Sequence, residues 1–167
     1  FRLDIFSKDI FEVKGVPEVF NSGQGGLLDI EIEKKNKKTK IYLCFSKKVN
    51  QSEAATAVNS YEFVNNKLIN KKILFVSNKS SSSSRHFGCR LAIKNNHIYV
   101  TIGDRGKRHD AQNIRNHSGS VIRLLKNGVF FNNKAFKNSL PEIYSIGHRN
   151  PQGLTYNSDK SVLWLHE

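Results

Sequence analysis

Arg85-His86-Phe87-Gly88-Cys89-Arg90-Leu91-Ala92-Ile93, the turn Lys94-Asn95-Asn96, and Ile98-Tyr99-Val100-Thr101-Ile102 form the stretch that decides the fold. It is a polar, Gly-containing lead-in, a short apolar strand, a turn and a second strand. The same plan occurs upstream in Gly23-Gln24-Gly25-Gly26-Leu27-Leu28-Asp29-Ile30, a Lys/Asn-rich turn and Ile41-Tyr42-Leu43-Cys44-Phe45. It occurs downstream in His148-Arg149-Asn150-Pro151-Gln152-Gly153-Leu154-Thr155-Tyr156, the turn Asn157-Ser158-Asp159-Lys160 and Val162-Leu163-Trp164-Leu165. A repeat about every 60 residues, with about four strands per unit, is the mark of propeller blades. Gln24, His86 and Arg149-Asn150 all fall just before the first strand of their unit. Radial repetition brings such positions to one radius and height, so these segments are expected to converge on one pocket near the axis.

Almost every periodic segment alternates with period two rather than 3.6, so the chain reads as all-β. Leu3-Asp4-Ile5-Phe6 and Ile10-Phe11-Glu12-Val13 read as two strands. Residues 27–33, 40–46, 57–64 and 72–76 complete one four-strand unit. Residues 89–94, 97–102, 119–125 and 142–146 complete a second, and 153–156 with 162–166 open another. Residues 127–140 read as a long surface connection and Ser80 to Ser84 as a loop whose only demand is flexibility. The domain expectation is that residues 1–167 are a piece of a single propeller: outer strands of one blade, two complete blades and the start of the next.

The 167 residues contain no Met and begin at Phe1. The chain therefore reads as an internal piece of a longer protein, with no targeting segment in view. No apolar run approaches the ~20 residues of a membrane span. Net charge is +13 with a pI of about 9.9, which raises a nucleic-acid partner. However, the Lys pairs lie in turns and at strand ends, and no lysine stripe with interleaved aromatics appears. Nucleic acid is therefore not expected. The two cysteines, Cys44 and Cys89, lie in strands and read as small core residues. A bridge between them would need neighbouring blades and a Cα separation below ~7 Å. The six His show no metal-ligand spacing, so no metal ligand is assigned within the chain.

His86 is the candidate acid/base group, because His titrates near neutral pH and Gly88 beside it permits close approach. Gly23-Gln24-Gly25-Gly26 lacks the Lys-Ser/Thr of a phosphate loop; it reads as a tight backbone approach with Gln24 as an amide hydrogen-bonder. Gly103-Asp104-Arg105-Gly106 ends a second strand and opens on the same face as the lead-ins, so Asp104 and Arg105 are both expected to point into the pocket. Arg149 offers a planar, always-charged fork for carboxylates, and Pro151 forces Asn150 toward an extended backbone.

Taken together, Gly23 to Asp29, His86-Phe87-Gly88 with Arg90-Leu91, Thr101 to Gly106, Asn116-His117 with Gly119 and Ile122-Arg123-Leu124, and Pro141 to Tyr144 with Gly147 to Leu154 resemble the soluble PQQ-dependent aldose (glucose/sorbosone) dehydrogenases. The order and spacing match over nearly the whole chain. The resemblance implies a six-bladed β-propeller, of which about half the blades are present. It also implies a quinoprotein that oxidises the anomeric hydroxyl of aldose sugars, with hydride transfer to PQQ and an external electron acceptor. His86 matches the family's general base. Gln24 matches a residue beside substrate and PQQ, Arg149 and Asn150 match PQQ contacts, and Asp104 matches an acid of the substrate pocket. Calcium is implied as a second cofactor, with ligands beyond the C-terminal end of this chain. A periplasmic or secreted location is implied as well. The chain alone is expected to be inactive. The competing expectation is a propeller of the same superfamily that binds a ligand or protein without chemistry.

Overall fold

The computed structural model of the chain describes residues 1–130, 132–133 and 135–167. Among them there is no α-helix, only a three-residue 3-10 turn at Asp110–Gln112. The strands are β1 (Arg2–Leu3), β2 (Ile10–Phe11), β3 (Leu27–Lys35), β4 (Lys38–Lys48), β5 (Ala54–Val64), β6 (Lys67–Val76), β7 (Gly88–Lys94), β8 (His97–Ile102), β9 (Ser120–Leu125), β10 (Ile143–Ile146), β11 (Gly153–Asn157) and β12 (Val162–His166). They form two four-stranded antiparallel sheets, β3-β4-β5-β6 and β7-β8-β9-β10, and two hairpins, β1-β2 and β11-β12. The fold is all-β, built from consecutive sheets as blades of a partial propeller.

The first sheet is held by hairpins that its turn residues dictate. Asn36 and Lys37 both have positive φ, as do Asn65 and Asn66. Two consecutive left-handed residues give the tight turn whose twist matches paired strands, and Asn tolerates that conformation best after Gly. The Asn65-Asn66 turn also starts β6 at Lys67, five residues before the strand expected from the apolar run 72–76. That part of β6 (Lys67-Leu68-Ile69-Asn70-Lys71) is mostly polar and therefore easily missed. Residues 131 and 134, within the expected connection 127–140, lie outside the described residues.

Alternation along the strands assigns each face. Tyr42, Cys44, Val58, Leu74 and Phe75 of the first sheet pack against Cys89, Leu91, Ile98, Val100, Ile102, Ile122 and Leu124 of the second. The intervening Ile41, Leu43 and Phe45 form a cluster on the opposite face of the first sheet. On the far side of the second sheet, Ala92, Tyr99 and Val121 meet Leu154, Leu163 and Leu165 of the last hairpin. The order of packing is therefore the order of the chain. Apolar residues remain half-exposed at both ends of the stack: Leu27, Ile30 and Ile32 on β3, and Trp164 on β12.

Cys44 and Cys89 do not remain separate thiols. Both are buried strand residues, but they are joined in a disulfide with a Cα–Cα distance of 5.6 Å. The expectation of two core thiols is corrected: the interface sets β4 of one sheet directly against β7 of the next. No helix among the described residues is long and apolar enough to cross a membrane.

Candidate active site

The three lead-ins are joined by hydrogen bonds of one repeating span. Gln24 Oε1 accepts the His86 N–H at 2.7 Å, across 62 residues. Asp29 Oδ2 accepts the Leu91 N–H at 2.7 Å, again across 62. The Gly88 N–H donates to Asn150 Oδ1 at 3.2 Å, and Arg90 Nε donates to the Gln152 carbonyl at 2.8 Å, both across 62. Arg90 also donates to the Leu28 carbonyl on its other side, with the same span. Equivalent positions of successive blades thus touch one another. By this spacing the counterpart of Gln24 and His86 is His148, so Arg149 and Asn150 lie just past that position.

His86 sits in a left-handed turn with φ +55°. A non-Gly residue rarely adopts that conformation, and such strain persists only where the surroundings hold it. Two close approaches hold it here. Gly103 lies so near that a Cβ on it would stand 2.0 Å from the His86 carbonyl oxygen. Gly88, at φ +63°, lies against the Gly103 amide. The pinched backbone brings His86 Nδ1 to 2.7 Å from Asp104 Oδ1. The same carboxylate oxygen accepts the Gly106 N–H at 2.7 Å, and the Asp104 N–H donates to the Arg149 carbonyl at 2.8 Å. The His86 side chain is 14% exposed and that of Asp104 3%. With the carboxylate as acceptor, Nδ1 carries the ring proton and Nε2 presents its lone pair. No described residue forms a hydrogen bond with His86 Nε2.

Arg105 does not point into the pocket, contrary to expectation. It is buried and donates to three carbonyls: Arg85 at 3.1 Å, Ala54 at 2.9 Å and Ser83. Its guanidinium lies 3.6 Å from the Phe87 ring centroid. Burial pushes its pKa down to about 10. Satisfying otherwise orphaned carbonyls beneath the His86 loop occupies this fork. The serine run also does more than connect. The Ser84 carbonyl accepts the Gln24 N–H at 2.7 Å, and Ser81 pairs with Ala54.

Gln24, His86, Asp104 and Asn150 are therefore brought into one locality, and Arg149 joins it through its carbonyl. The Arg149 side chain is exposed and lines a groove of about 580 Å³ with Asp104, Arg108, His109, Gln112 and His148. His86 and Gln24 are not among the residues that line that groove. Glu167, which the sequence reading passed over, closes the arrangement. Its Oε2 accepts the N–H groups of Arg149 at 2.7 Å and Asn150 at 3.1 Å, and its Oε1 lies 3.4 Å from His148 Nδ1. A signal was present, since Glu167 follows the second strand of its unit as Asp104 follows β8. Among the described residues no group of three or more His, Cys, Asp or Glu could hold a metal ion.

Residues 2–167 match the family model described as Glucose / Sorbosone dehydrogenase. The chain is 30% identical over 162 residues to Aldose sugar dehydrogenase YliI of Escherichia coli strain K12, covering 93% of this chain and 44% of that protein. In structure it is similar to the soluble aldose sugar dehydrogenase of Escherichia coli in its apo-form, with a TM-score of 0.88 and 27% identity over 99% of this chain and 50% of that one. It is also similar to the PQQ-bound form of aldose sugar dehydrogenase from Streptomyces coelicolor, with a TM-score of 0.79 and 26% identity over 99% of this chain and 48% of that one. The chain thus spans about half the length of the relatives it matches.

Proposed function

The chain belongs to the glucose/sorbosone dehydrogenase family, and from that premise we propose that it carries the proton-accepting part of a PQQ-dependent aldose dehydrogenase. In this reading residues 1–167 are part of one propeller domain that further blades complete. The observation that carries the reading is the His86–Asp104 pair, with its bonded Nδ1 and its unengaged Nε2.

His86 Nε2 takes the proton from the anomeric hydroxyl of the sugar. Asp104 keeps the ring in the tautomer that can accept there, and its negative charge stabilises the imidazolium that forms. Gln24 acts on the same histidine through its backbone, since its carbonyl oxygen is committed to the His86 N–H. Its remaining NH₂ is a donor for a sugar hydroxyl. PQQ, when bound, supplies the two-electron acceptor for the hydrogen leaving the anomeric carbon. The donor set fits a planar tricarboxylate. Arg149 lines a groove that also holds Arg108 and His148, and Asn150 keeps its amide NH₂ after giving Oδ1 to Gly88. The protein's task is orientation and electrostatics around that group.

Calcium belongs to this reading as a cofactor of the whole protein, with ligands outside these residues. An external acceptor removes the electrons. The buried Cys44–Cys89 disulfide supports a periplasmic or secreted setting, because such bonds persist in oxidising compartments. The test is dye reduction by the full-length protein reconstituted with PQQ and calcium, over a panel of aldoses. Aldose-dependent reduction is expected; its absence with every sugar contradicts the reading.

A further inference from the structure

The His86–Asp104 pair has a counterpart one unit along the chain. His148 occupies the repeat position of His86, and its Nδ1 lies 3.4 Å from Glu167 Oε1. Asp104 follows β8 and Glu167 follows β12. The two pairs differ at the other ring nitrogen. His148 Nε2 is engaged by Ser145 Oγ at 2.6 Å, whereas His86 Nε2 has no such partner among the described residues. The second pair therefore has no lone pair free to accept a substrate proton.

What the second pair holds instead is the Arg149-Asn150 backbone. Two successive peptide N–H groups converge on one oxygen, Glu167 Oε2. Burial alone would raise the pKa of this carboxyl, but the two backbone donors together with His148 outweigh it and lower it from its ordinary value. Asn150 is restrained from two further directions: Pro151 limits its backbone and Gly88 takes its Oδ1. Rotation of either peptide plane would carry the Arg149 side chain away from the groove it lines with Asp104.

We propose that Glu167 is a positioning residue that clamps the Arg149-Asn150 turn and so presets the guanidinium and amide for the cofactor, with Ser145 and His148 orienting its carboxylate. The proposal rests on the reading of Arg149 and Asn150 as PQQ contacts. A carboxylate suits this task because both donors reach one charged oxygen, and charge-assisted bonds are shorter and stronger than neutral ones. Glutamine has the same shape but no charge.

The test uses full-length protein with Glu167→Gln and Glu167→Ala. Three quantities are read: hydrogen exchange of the Arg149 and Asn150 amides, the PQQ dissociation constant by absorbance titration, and the KM for sugar. Exchange at the two amides is expected to quicken about tenfold or more, and PQQ binding to weaken by about ten- to a hundredfold, the scale of a charged hydrogen bond. The KM for sugar and the exchange of the His86 segment should hold. Glu167→Gln preserves the packing if Glu167→Ala does not fold. Unchanged amide exchange, or quicker exchange with unchanged PQQ affinity, overturns the proposal. Wild-type protein that binds no PQQ overturns the functional reading itself, which the exchange data then separate from the clamp.

Discussion

His86 Nδ1 lies 2.7 Å from Asp104 Oδ1, because the two residues flank the open end of the β7-β8 hairpin, where Gly88 pairs with Ile102. The pairing needs β7 and β8 in register, Gly103 without a side chain, and a left-handed His86. It is the arrangement by which a neutral imidazole becomes a directed base.

Asp104→Asn should therefore lower kcat on the order of 100-fold, within the range a positioned base contributes. The amide can keep an oxygen toward the Gly106 N–H and His86 Nδ1, but it lacks the negative charge that stabilises the imidazolium. The KM for sugar and the melting temperature should change little. Steady-state kinetics beside a thermal melt check this, and an unchanged kcat would detach Asp104 from the chemistry.

Gly103→Ala should damage the site from beneath. The new methyl would meet backbone at the His86 carbonyl oxygen, not a movable side-chain tip. Overpacking of this kind costs about 1–3 kcal/mol, read as a lower denaturant midpoint, and activity should fall with it. A variant with wild-type stability and turnover would show that the two turns are not in contact.

The disulfide joins residues 45 apart in sequence. A loop of that size predicts roughly 4 kcal/mol of stabilisation through the unfolded chain. Reduction, or Cys44→Ser with Cys89→Ser, should lower the denaturant midpoint accordingly. Mass spectrometry without reductant should find the Cys44 and Cys89 peptides linked. Two free thiols in freshly purified protein would contradict the pairing.

Glu142 gives stability a dependence on acid. Its Oε1 lies 2.7 Å from His117 Nε2, whose Nδ1 accepts the Asn78 N–H. Burial raises the pKa of the carboxyl, but the His117 hydrogen bond, a backbone hydrogen bond and the charge interaction with His117 together more than offset it, and the folded value is below the ordinary 4.5. A depressed carboxylate contributes stability that is complete above the unfolded pKa and is lost as pH falls through the folded one. Unfolding free energy should therefore drop below about pH 4.5, with a shallower drop in Glu142→Gln. Equal slopes in the two proteins would exclude this contribution.

The repeat, the all-β class and the three lead-ins were legible because alternation and Gly-bearing turns are local signals. Gln24, His86 and Asp104 were singled out by their place in the repeat, and the structure puts Gln24 in contact with His86 and His86 in contact with Asp104. What was not legible depended on neighbouring blades. Cys44 and Cys89 pair only because one sheet stacks on the next. Arg105 was read as a pocket residue from its turn, yet carbonyls of Arg85, Ala54 and Ser83, all distant in sequence, draw it inward. His148, not Arg149, is the repeat counterpart of His86, because hydrogen bonds across 62 residues fix the spacing more finely than a comparison of strands does.

The central claim is that His86 is the base of an aldose dehydrogenase, and rapid-mixing kinetics tests it most directly. Full-length wild-type and His86→Ala proteins are loaded with PQQ and calcium, mixed with glucose, and followed by the absorbance of the cofactor. The account predicts cofactor reduction slower by ~10²–10⁴-fold in the variant, with PQQ affinity and melting temperature unchanged. Reduction at the wild-type rate would contradict it and place the proton acceptor elsewhere.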